Sequence, residues 1–350
     1  MKRSPYFSVC IPNYNYGHYL EETIESVLQQ SFEDLEVVIV DNASTDNSVE
    51  VIKSFSDPRI RFFQNKYNIG FAPNLQRASQ YARGDYILMV SSDDLMYPSA
   101  LADYAAILKR QGDRAKRTVL CASTDTVDSK GKVLSVNHLP AGQTFPVNTP
   151  IECTEESLFE GENRMSGAVA LTDALRSCQS LASFVATAYP RAMWEAVEGY
   201  DVAYQMMPDA AFLHKLLGLD PDFIFLRKRL FAYRVHDRNQ TAQATTQRAL
   251  RYQSDGYMRT LSYPQATLDG LGVSRTELVD AFVEVMCLDQ SFSALARNEW
   301  QNALRQFLFA LACYPKRAIR FLKFYILIGL FPTGPVACKI CSLAKKYRDG

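Results

Sequence analysis

The sequence predicts an α/β fold: a largely parallel sheet with helices on both faces, followed by a helical C-terminal region. Three observations carry that expectation. Short apolar runs rich in Val, Ile and Phe recur through the first third of the chain. Segments with apolar residues at helical spacing separate them. Polar and acidic residues then cluster just past the runs, where an open α/β sheet binds its ligands.

The strand runs are Phe7 to Ile11, Leu35 to Val40, Ile60 to Phe63 and Tyr86 to Val90. Their continuous apolar character suits strands covered on both faces better than strands with one wet face. Between them, Leu20, Ile24, Val27 and Leu28 share one helix face. Val49, Ile52 and Phe55 share another, and Leu75, Ala78 and Ala82 a third. Ser44, Thr45 and Asp46 offer N-caps, Pro73 suits a first turn, and Gly84 falls where a helix should stop. Strands alternating with helices of this length imply βαβ crossovers.

Past the strand ends stand Pro12-Asn13-Tyr14-Asn15, Asp41-Asn42-Ala43-Ser44, Asn68-Ile69-Gly70 with Asn74, and Ser91-Ser92-Asp93-Asp94. Adjacent carboxylates such as Asp93 and Asp94 repel unless a cation or hydrogen-bond donors offset them. A Mg²⁺ or Mn²⁺ ion on a diphosphate is a natural partner, because it needs only one or two carboxylates beside the phosphate oxygens. Two plainer readings stand beside this one. Asp93-Asp94 could cap the helix whose start Pro98 marks, and Asp-Asn-Ala-Ser is an ordinary turn sequence. Co-location of all these groups on one sheet edge favours a nucleotide and a metal ion bound together.

Ile11-Pro12-Asn13-Tyr14-Asn15, Val40-Asp41-Asn42-Ala43-Ser44-Thr45-Asp46, Asn68-Ile69-Gly70, Ala82-Arg83-Gly84-Asp85-Tyr86-Ile87 and the acidic pair follow one another in a telling order. In joint order and spacing they resemble the family 2 glycosyltransferases of the GT-A fold, which use nucleotide sugars. That resemblance implies that Tyr14 stacks on the nucleobase and Asp41 bonds the base or ribose. It implies that Asp93 faces the ribose and leaving diphosphate while Asp94 ligates Mg²⁺ or Mn²⁺. Pro12, Asn15, Asn68, Gly70 and Asn74 complete the donor site so implied. Many relatives carry a further acidic residue before the pair; here Ser92 stands there.

The following stretch is less regular. Val119 to Ala122 reads as a strand, and Asp128-Ser129-Lys130-Gly131 as the turn of a hairpin resuming at Val133. Residues 148–183 show no clear periodicity, and Tyr189-Pro190-Arg191-Ala192 reads as helix. The resemblance makes Asp209 the general base that takes the proton of an acceptor hydroxyl. Relatives have an acidic residue before it, where this chain has Pro208. The plainer role for Asp209 is a helix N-terminal carboxylate, stabilising by roughly 0.3–1 kcal/mol. Asp201 is the second candidate base, unless it belongs to a Gly-Tyr-Asp turn. Two further apolar runs, Phe223 to Leu226 and Leu230 to Ala232, lead to Tyr233-Arg234-Val235-His236. There the resemblance offers Arg234 as a phosphate clamp and His236 as a further metal ligand, against a purely structural histidine. The Gln/Thr-rich stretch 239–247 reads as a lid or a linker.

From about Ala249 the pattern is helical, with stripes Leu278, Phe282, Val285 and Trp300, Leu304, Phe307, Leu311. Basic residues then flank an apolar run from Phe324 to Cys338 that is shorter than the ~20 residues of a bilayer span. Such a tail suits a helix lying on an anionic membrane surface, or one buried against the protein with a solvated basic face. The expected organisation is 1–125 for donor binding, 126–240 for acceptor binding and 241–350 for the helical region. The 38 basic and 38 acidic residues balance, which argues against a nucleic-acid partner. No secretory signal pattern opens the chain. The scattered cysteines read as reduced core thiols, and the expected location is the cytoplasm, peripheral on the inner membrane face.

The expected activity is inverting transfer from a nucleotide sugar to a surface glycan or lipid-linked glycan. A polyprenyl-phosphate sugar transferase and a non-catalytic nucleotide-sugar or glycan-binding relative are the alternatives. The second draws on the missing acidic neighbour at Pro208. A nucleotide-sugar pyrophosphorylase fits less well, since Pro12-Asn13-Tyr14-Asn15 has neither glycine nor a cation for a triphosphate.

Overall fold

A computed structural model describes residues 4–137, 161–178, 182–236, 239 and 249–349. The Gln/Thr-rich stretch, Asn239 apart, and much of 148–183 lie outside the described residues. The chain divides into two compact units. Met1–Leu171, Ser180–Ala203 and Pro208–Val235 form the first, and Thr172–Gln179, Tyr204–Met207 and His236–Gly350 the second.

The first unit is built on one mixed sheet. Its strands are β1 (Phe7–Asn13), β2 (Leu35–Asp41), β3 (Ile60–Gln64), β4 (Tyr86–Met89), β5 (Leu95–Met96), β6 (Thr118–Val127), β7 (Val133–Asn137), β8 (Glu162–Ser166), β9 (Ala188–Pro190) and β10 (Asp222–Arg234). The order is β3-β2-β1-β4-β9-β6-β10-β5, with β7 also along β6 and β8 also along β10. The first four strands are parallel, as their apolar runs require, and β1 and β2 are buried at every residue. β9 runs antiparallel between β4 and β6, while β6 and β10 are parallel. The helices are α1 (Gly17–Leu28), α2 (Ser48–Ser54), α3 (Phe71–Gln80), α4 (Ala100–Gln111), α5 (Gly167–Ser177), α6 (Arg191–Ala196) and α7 (Pro208–Leu217). α1 and α2 join strands laid outward from β1, whereas α3 carries the chain back to β4 on the other side of β1. Right-handed crossovers therefore place α3 on the face opposite α1 and α2.

That reversal makes a switch point between β1 and β4, where α/β sheets open a ligand crevice. β1 overruns β4 there. Its last residue paired with β4 is Cys10, opposite Met89, and the Cys10 carbonyl accepts the Val90 N–H at 2.9 Å. Two residues on, Pro12 would point its N–H to the same side, where β4 has already turned away. The missing donor thus costs no ladder bond, which is how a proline fits inside a central strand.

The Ala82-Arg83-Gly84-Asp85 segment belongs to the opposite end of the sheet. Ser8 Oγ donates to Glu36 Oε1 at 2.6 Å and accepts the Gly84 N–H at 2.8 Å. Glu36 also accepts the Arg83 N–H at 2.6 Å and pairs with Arg61 at 2.8 Å. A Cβ on Gly84 would lie 2.6 Å from the Ser8 nitrogen and 2.8 Å from the Phe7 carbonyl carbon, both backbone atoms. Gly84→Ala is expected to cost about 1–3 kcal/mol through this overpacking, read as a lower denaturant midpoint at unchanged slope. An unchanged midpoint would mean that β1 shifts without cost.

Several expectations are corrected. Arg229 to Arg234 continues the strand begun at Asp222 through two register shifts on β6, so the two expected runs are one bulged strand. Tyr189 and Pro190 are strand, and the helix starts at Arg191. The hairpin at Asp128 forms as expected, with the Gly131 N–H bonded to the Asp128 carbonyl at 3.0 Å.

The second unit is helical. Its longer helices are Ala249–Ser262, Trp300–Cys313 and Pro335–Asp349. A π-helical stretch, Phe282–Asp289, shifts the expected stripe: Val283 and Met286 are buried with Phe282, while Val285 is only half-buried. The wider i→i+5 turn inserts a residue and rotates the face. In Trp300–Cys313 the buried line is Ala303, Gln306, Phe307 and Ala310, with Trp300, Leu304 and Leu311 flanking it. Small alanines on that line permit close helix approach. Among the described residues no helix is long and apolar enough to cross a membrane.

Candidate active site at the carboxyl edge of the sheet

Three loops meet at the switch point. The first follows β1. Asn13 is buried and donates through Nδ2 to Asp41 Oδ1 at 2.8 Å and to Ser44 Oγ at 3.2 Å. Asn15 adopts a left-handed conformation (φ 59°), which asparagine tolerates better than most residues. Its N–H donates to Ser44 Oγ at 2.9 Å, and its Oδ1 accepts the Thr45 N–H at 2.7 Å. The turn is thus locked to the loop after β2 and leaves the Tyr14 ring 41% exposed.

The second loop centres on Asp41, which is fully buried. Besides Asn13, its carboxylate accepts Ser44 Oγ at 2.5 Å, the Ser44 N–H at 3.0 Å and Gln64 Nε2 at 3.2 Å. The turn role is therefore real, and it shapes the rim on which Tyr14 sits. Asn68, Gly70 and Asn74 are brought together here by Asn42 and Asn65. Asn42 Nδ2 donates to Asn68 Oδ1 at 2.9 Å and to the Gly70 carbonyl at 3.1 Å. Asn65 Nδ2 donates to Asn42 Oδ1 and Asn74 Oδ1, both at 2.9 Å, and Asn74 Nδ2 to the Val40 carbonyl at 3.1 Å. Gly70 (φ 94°) turns the chain into α3 in a conformation that favours glycine.

The third loop holds Asp93 and Asp94, both buried. They do not cap the next helix. β5 intervenes, and α4 starts at Ala100 after an Ser99 cap with no side-chain bond to it. β5 pairs with Phe231 and Ala232 of β10, which brings Arg234 onto the acidic pair. The Arg234 N–H donates to Asp94 Oδ1 at 2.9 Å, and Arg234 Nε to the Asp93 carbonyl at 2.8 Å. The same guanidinium donates to the Ser129 carbonyl at 3.3 Å and pairs with Glu22 at 2.6 Å, and it lies 4.8 Å over the Tyr19 ring. Thr23 of α1 donates to the Asp94 carbonyl at 2.9 Å. Arg234 is only 1% exposed, so it ties the acidic loop to α1 and to the β6–β7 turn from inside. Arg234→Lys keeps the charge but cannot span these partners. It is expected to cost about 1.5–3 kcal/mol, read by chemical denaturation; an unchanged midpoint would remove the clamp.

Burial, and then the neighbouring Asp93, push the Asp94 carboxyl well above the usual carboxylate range. Bonds from Arg234 and Ser91 oppose this with less effect. Burial also raises the Tyr16 phenol, with Asp93 and Asp94 adding to the shift. Tyr16 is therefore a neutral hydroxyl close to both acids. Two adjacent buried carboxylates, with Asp94 in an environment that resists its charge, fit a divalent cation with phosphate oxygens completing its shell. Among the described residues no group of three or more His, Cys, Asp or Glu side chains is placed to hold a metal ion by itself. His236 opens the second unit, with its N–H on the Asn239 side-chain oxygen.

Asp209 stands at the second position of α7, behind Pro208. It lines a recess with Tyr189, Tyr200 and Phe212. The Tyr200 ring stacks on Phe212 at 4.3 Å, and its hydroxyl lies 3.3 Å from that of Tyr189. Asp209 is close enough to contribute to the raised Tyr200 phenol, after burial and Tyr189. Pro208 suits a first helical position, where no N–H is needed. Asp201 accepts the Ala203 N–H at 2.9 Å, as a turn residue does.

Tyr16, Glu22 and Thr23 went unnoticed in the sequence reading. Thr23 did carry a signal, as a polar residue between Leu20 and Ile24 on an otherwise apolar helix face.

The sheet order, the switch-point crevice and the acidic pair define a GT-A fold, and solved structures agree. S. aureus TarS 1–349 in complex with UDP-GlcNAc superposes with a TM-score of 0.58 at 18% identity, over 98% of this chain and 92% of that one. Mannosyltransferase PcManGT from Pyrobaculum calidifontis, in complex with GDP-Man and Mn²⁺, gives 0.54 at 15% identity, over 99% and 89%. Residues 8–139 match the model of glycosyl transferase family 2, so this part of the chain is similar to that family. The putative glycosyltransferase EpsE of Bacillus subtilis is 36% identical over 113 residues, 31% of this chain and 41% of that protein. The chain spans less than half the length of the first curated relatives it matches.

Proposed function

We propose that this chain is an inverting glycosyltransferase that moves a sugar from a nucleotide-diphosphate donor to a hydroxyl of a glycan or lipid-linked glycan. The observation that carries this reading is the buried Asp93-Asp94 pair at the switch point of a family 2 domain. Tyr14 offers an exposed ring for the base, and the Asp41 rim orients it. Pro12, Asn15, Asn68, Gly70 and Asn74 hold that rim in shape. Asp94, with Asp93 beside it, would hold Mg²⁺ or Mn²⁺. The ion would supply Lewis-acid stabilisation of the charge on the departing diphosphate. Arg234 positions the acids and does not grip phosphate itself. His236 is the candidate for a further ligand.

In the transfer step the Asp209 carboxylate takes the acceptor hydroxyl proton. The acceptor oxygen forms a bond to the anomeric carbon from the face opposite the leaving group. The bond from that carbon to the phosphate oxygen breaks, and the nucleoside diphosphate leaves with the electron pair. The anomeric centre is inverted. UDP-GlcNAc and GDP-Man, named for the two structural neighbours, are the first donors to test. The experiment is a nucleoside-diphosphate release assay over a donor panel, with glycan and lipid-linked acceptors. Acceptor-dependent release supports the transferase. Donor binding without release under any acceptor favours the non-catalytic relative, the reading that Pro208 keeps in view.

A further inference from the structure

The last two long helical segments of the second unit are apolar on opposite faces. In Leu322–Leu330 the side chains of Phe324 and Leu327 are buried, yet Leu322, Tyr325 and Ile326 are 75%, 55% and 44% exposed. At 3.6 residues per turn these three lie opposite the buried two, and Ile328, 47% exposed, flanks Phe324. Pro335–Asp349 repeats the arrangement, with Ala337, Cys338 and Cys341 buried and Val336, Ile340 and Leu343 exposed. A helix as apolar all round as Leu322–Leu330 is ordinarily covered all round. Scattered apolar residues need no explanation, but two such faces in consecutive helices mark an interaction surface.

Charge says what covers it. Eight of the 38 basic residues but only one of the 38 acidic residues fall within residues 315–350, so this segment is net +7 and the rest of the chain net −7. Arg317 pairs with Asp280 at 3.6 Å, and Lys323 with Glu284 and Asp289 at 2.8 and 2.7 Å. Lys316, Arg320, Lys339 and Lys345 are exposed, the first two just before the first helix and the other two on the second. A two-fold contact of this segment with its own copy would set like charge against like. An anionic bilayer offers both the apolar and the negative complement. Neither helix spans. The nine residues of Leu322–Leu330 extend about 14 Å, against a hydrocarbon core of about 30 Å.

We propose that Leu322–Leu330 and Pro335–Asp349 lie in the plane of an anionic phospholipid surface and dock the protein on it. This docking is independent of the transfer reading, because it is read without any sugar donor. The test is co-flotation of the full chain with phosphatidylcholine vesicles, with and without phosphatidylglycerol. Binding is expected on the anionic vesicles alone and should weaken with salt. The double variant Ile326→Glu/Ile340→Glu should lower it at least about tenfold, with an unchanged melting temperature showing that the fold is kept. Lys316→Glu/Lys339→Glu should lower it comparably. No binding to anionic vesicles, or equal binding by the variants, would overturn the proposal. Sedimentation showing a dimer that the Glu variants dissociate would overturn it too, assigning the faces to a second copy.

Discussion

Asp209→Asn is expected to lower turnover about 10²–10⁴-fold, the range of a positioned general base, while leaving nucleotide-sugar affinity unchanged. The exchange removes the proton acceptor and keeps the shape. α7 retains its proline start, and the recess with Tyr189, Tyr200 and Phe212 retains its walls. A helix N-terminal carboxylate alone would behave differently, losing roughly 0.3–1 kcal/mol of stability with no such kinetic effect. Turnover and melting temperature measured on one preparation separate the two roles. Asp201→Asn is the comparison for the second candidate base, whose carboxylate accepts the Ala203 N–H of a local turn.

Asp94→Asn is expected to abolish metal-dependent donor binding and yet to raise the melting temperature of the metal-free protein at neutral pH. The sign follows from the buried pair. The folded-state carboxyl of Asp94 titrates well above its unfolded value of about 3.9. The folded state therefore binds this proton more tightly. The stability it contributes is present below about pH 3.9 and is lost as pH rises through the folded value. At neutral pH folding must either bury the Asp94 charge or protonate the carboxyl, and both oppose it; asparagine removes that cost while its oxygen can still accept the Arg234 N–H. Calorimetric melting in chelator checks this. A variant that melts below wild type would mean that Arg234 and Ser91 fully offset the charge. A site held at such a cost in stability is the usual mark of function.

Much of this could be read from the sequence because the informative residues are local. β1 to β4 are mostly apolar runs, and the residues that end them mark the crevice without any long-range information. Asp41 was legible as a turn former, and its bond from the Ser44 N–H bears that out. What stayed hidden has short extent or distant partners. β5 and β9 are two and three residues long, too short to show a period. Arg234 meets the Asp93 carbonyl across 141 residues of sequence, and Glu22 across 212. An arginine at a strand end reads as a ligand clamp, and those partners, which hold it in place, could not be read from the sequence. The π-helical stretch misled for another reason, since a 3.6-residue period cannot anticipate an inserted residue. The exposed faces of the last two helices were also illegible, because a sequence shows apolarity but not which side is covered.

The most direct measurement of the central claim is calorimetric titration of UDP, GDP, dTDP and CMP into the protein, with and without Mn²⁺, for wild type and Asp94→Asn. One nucleoside diphosphate should bind wild type tightly only when Mn²⁺ is present, and Asp94→Asn should lose that binding. Failure of every nucleotide to bind under either condition, or equal binding by the variant, would contradict a metal-assisted nucleotide-sugar site at the switch point.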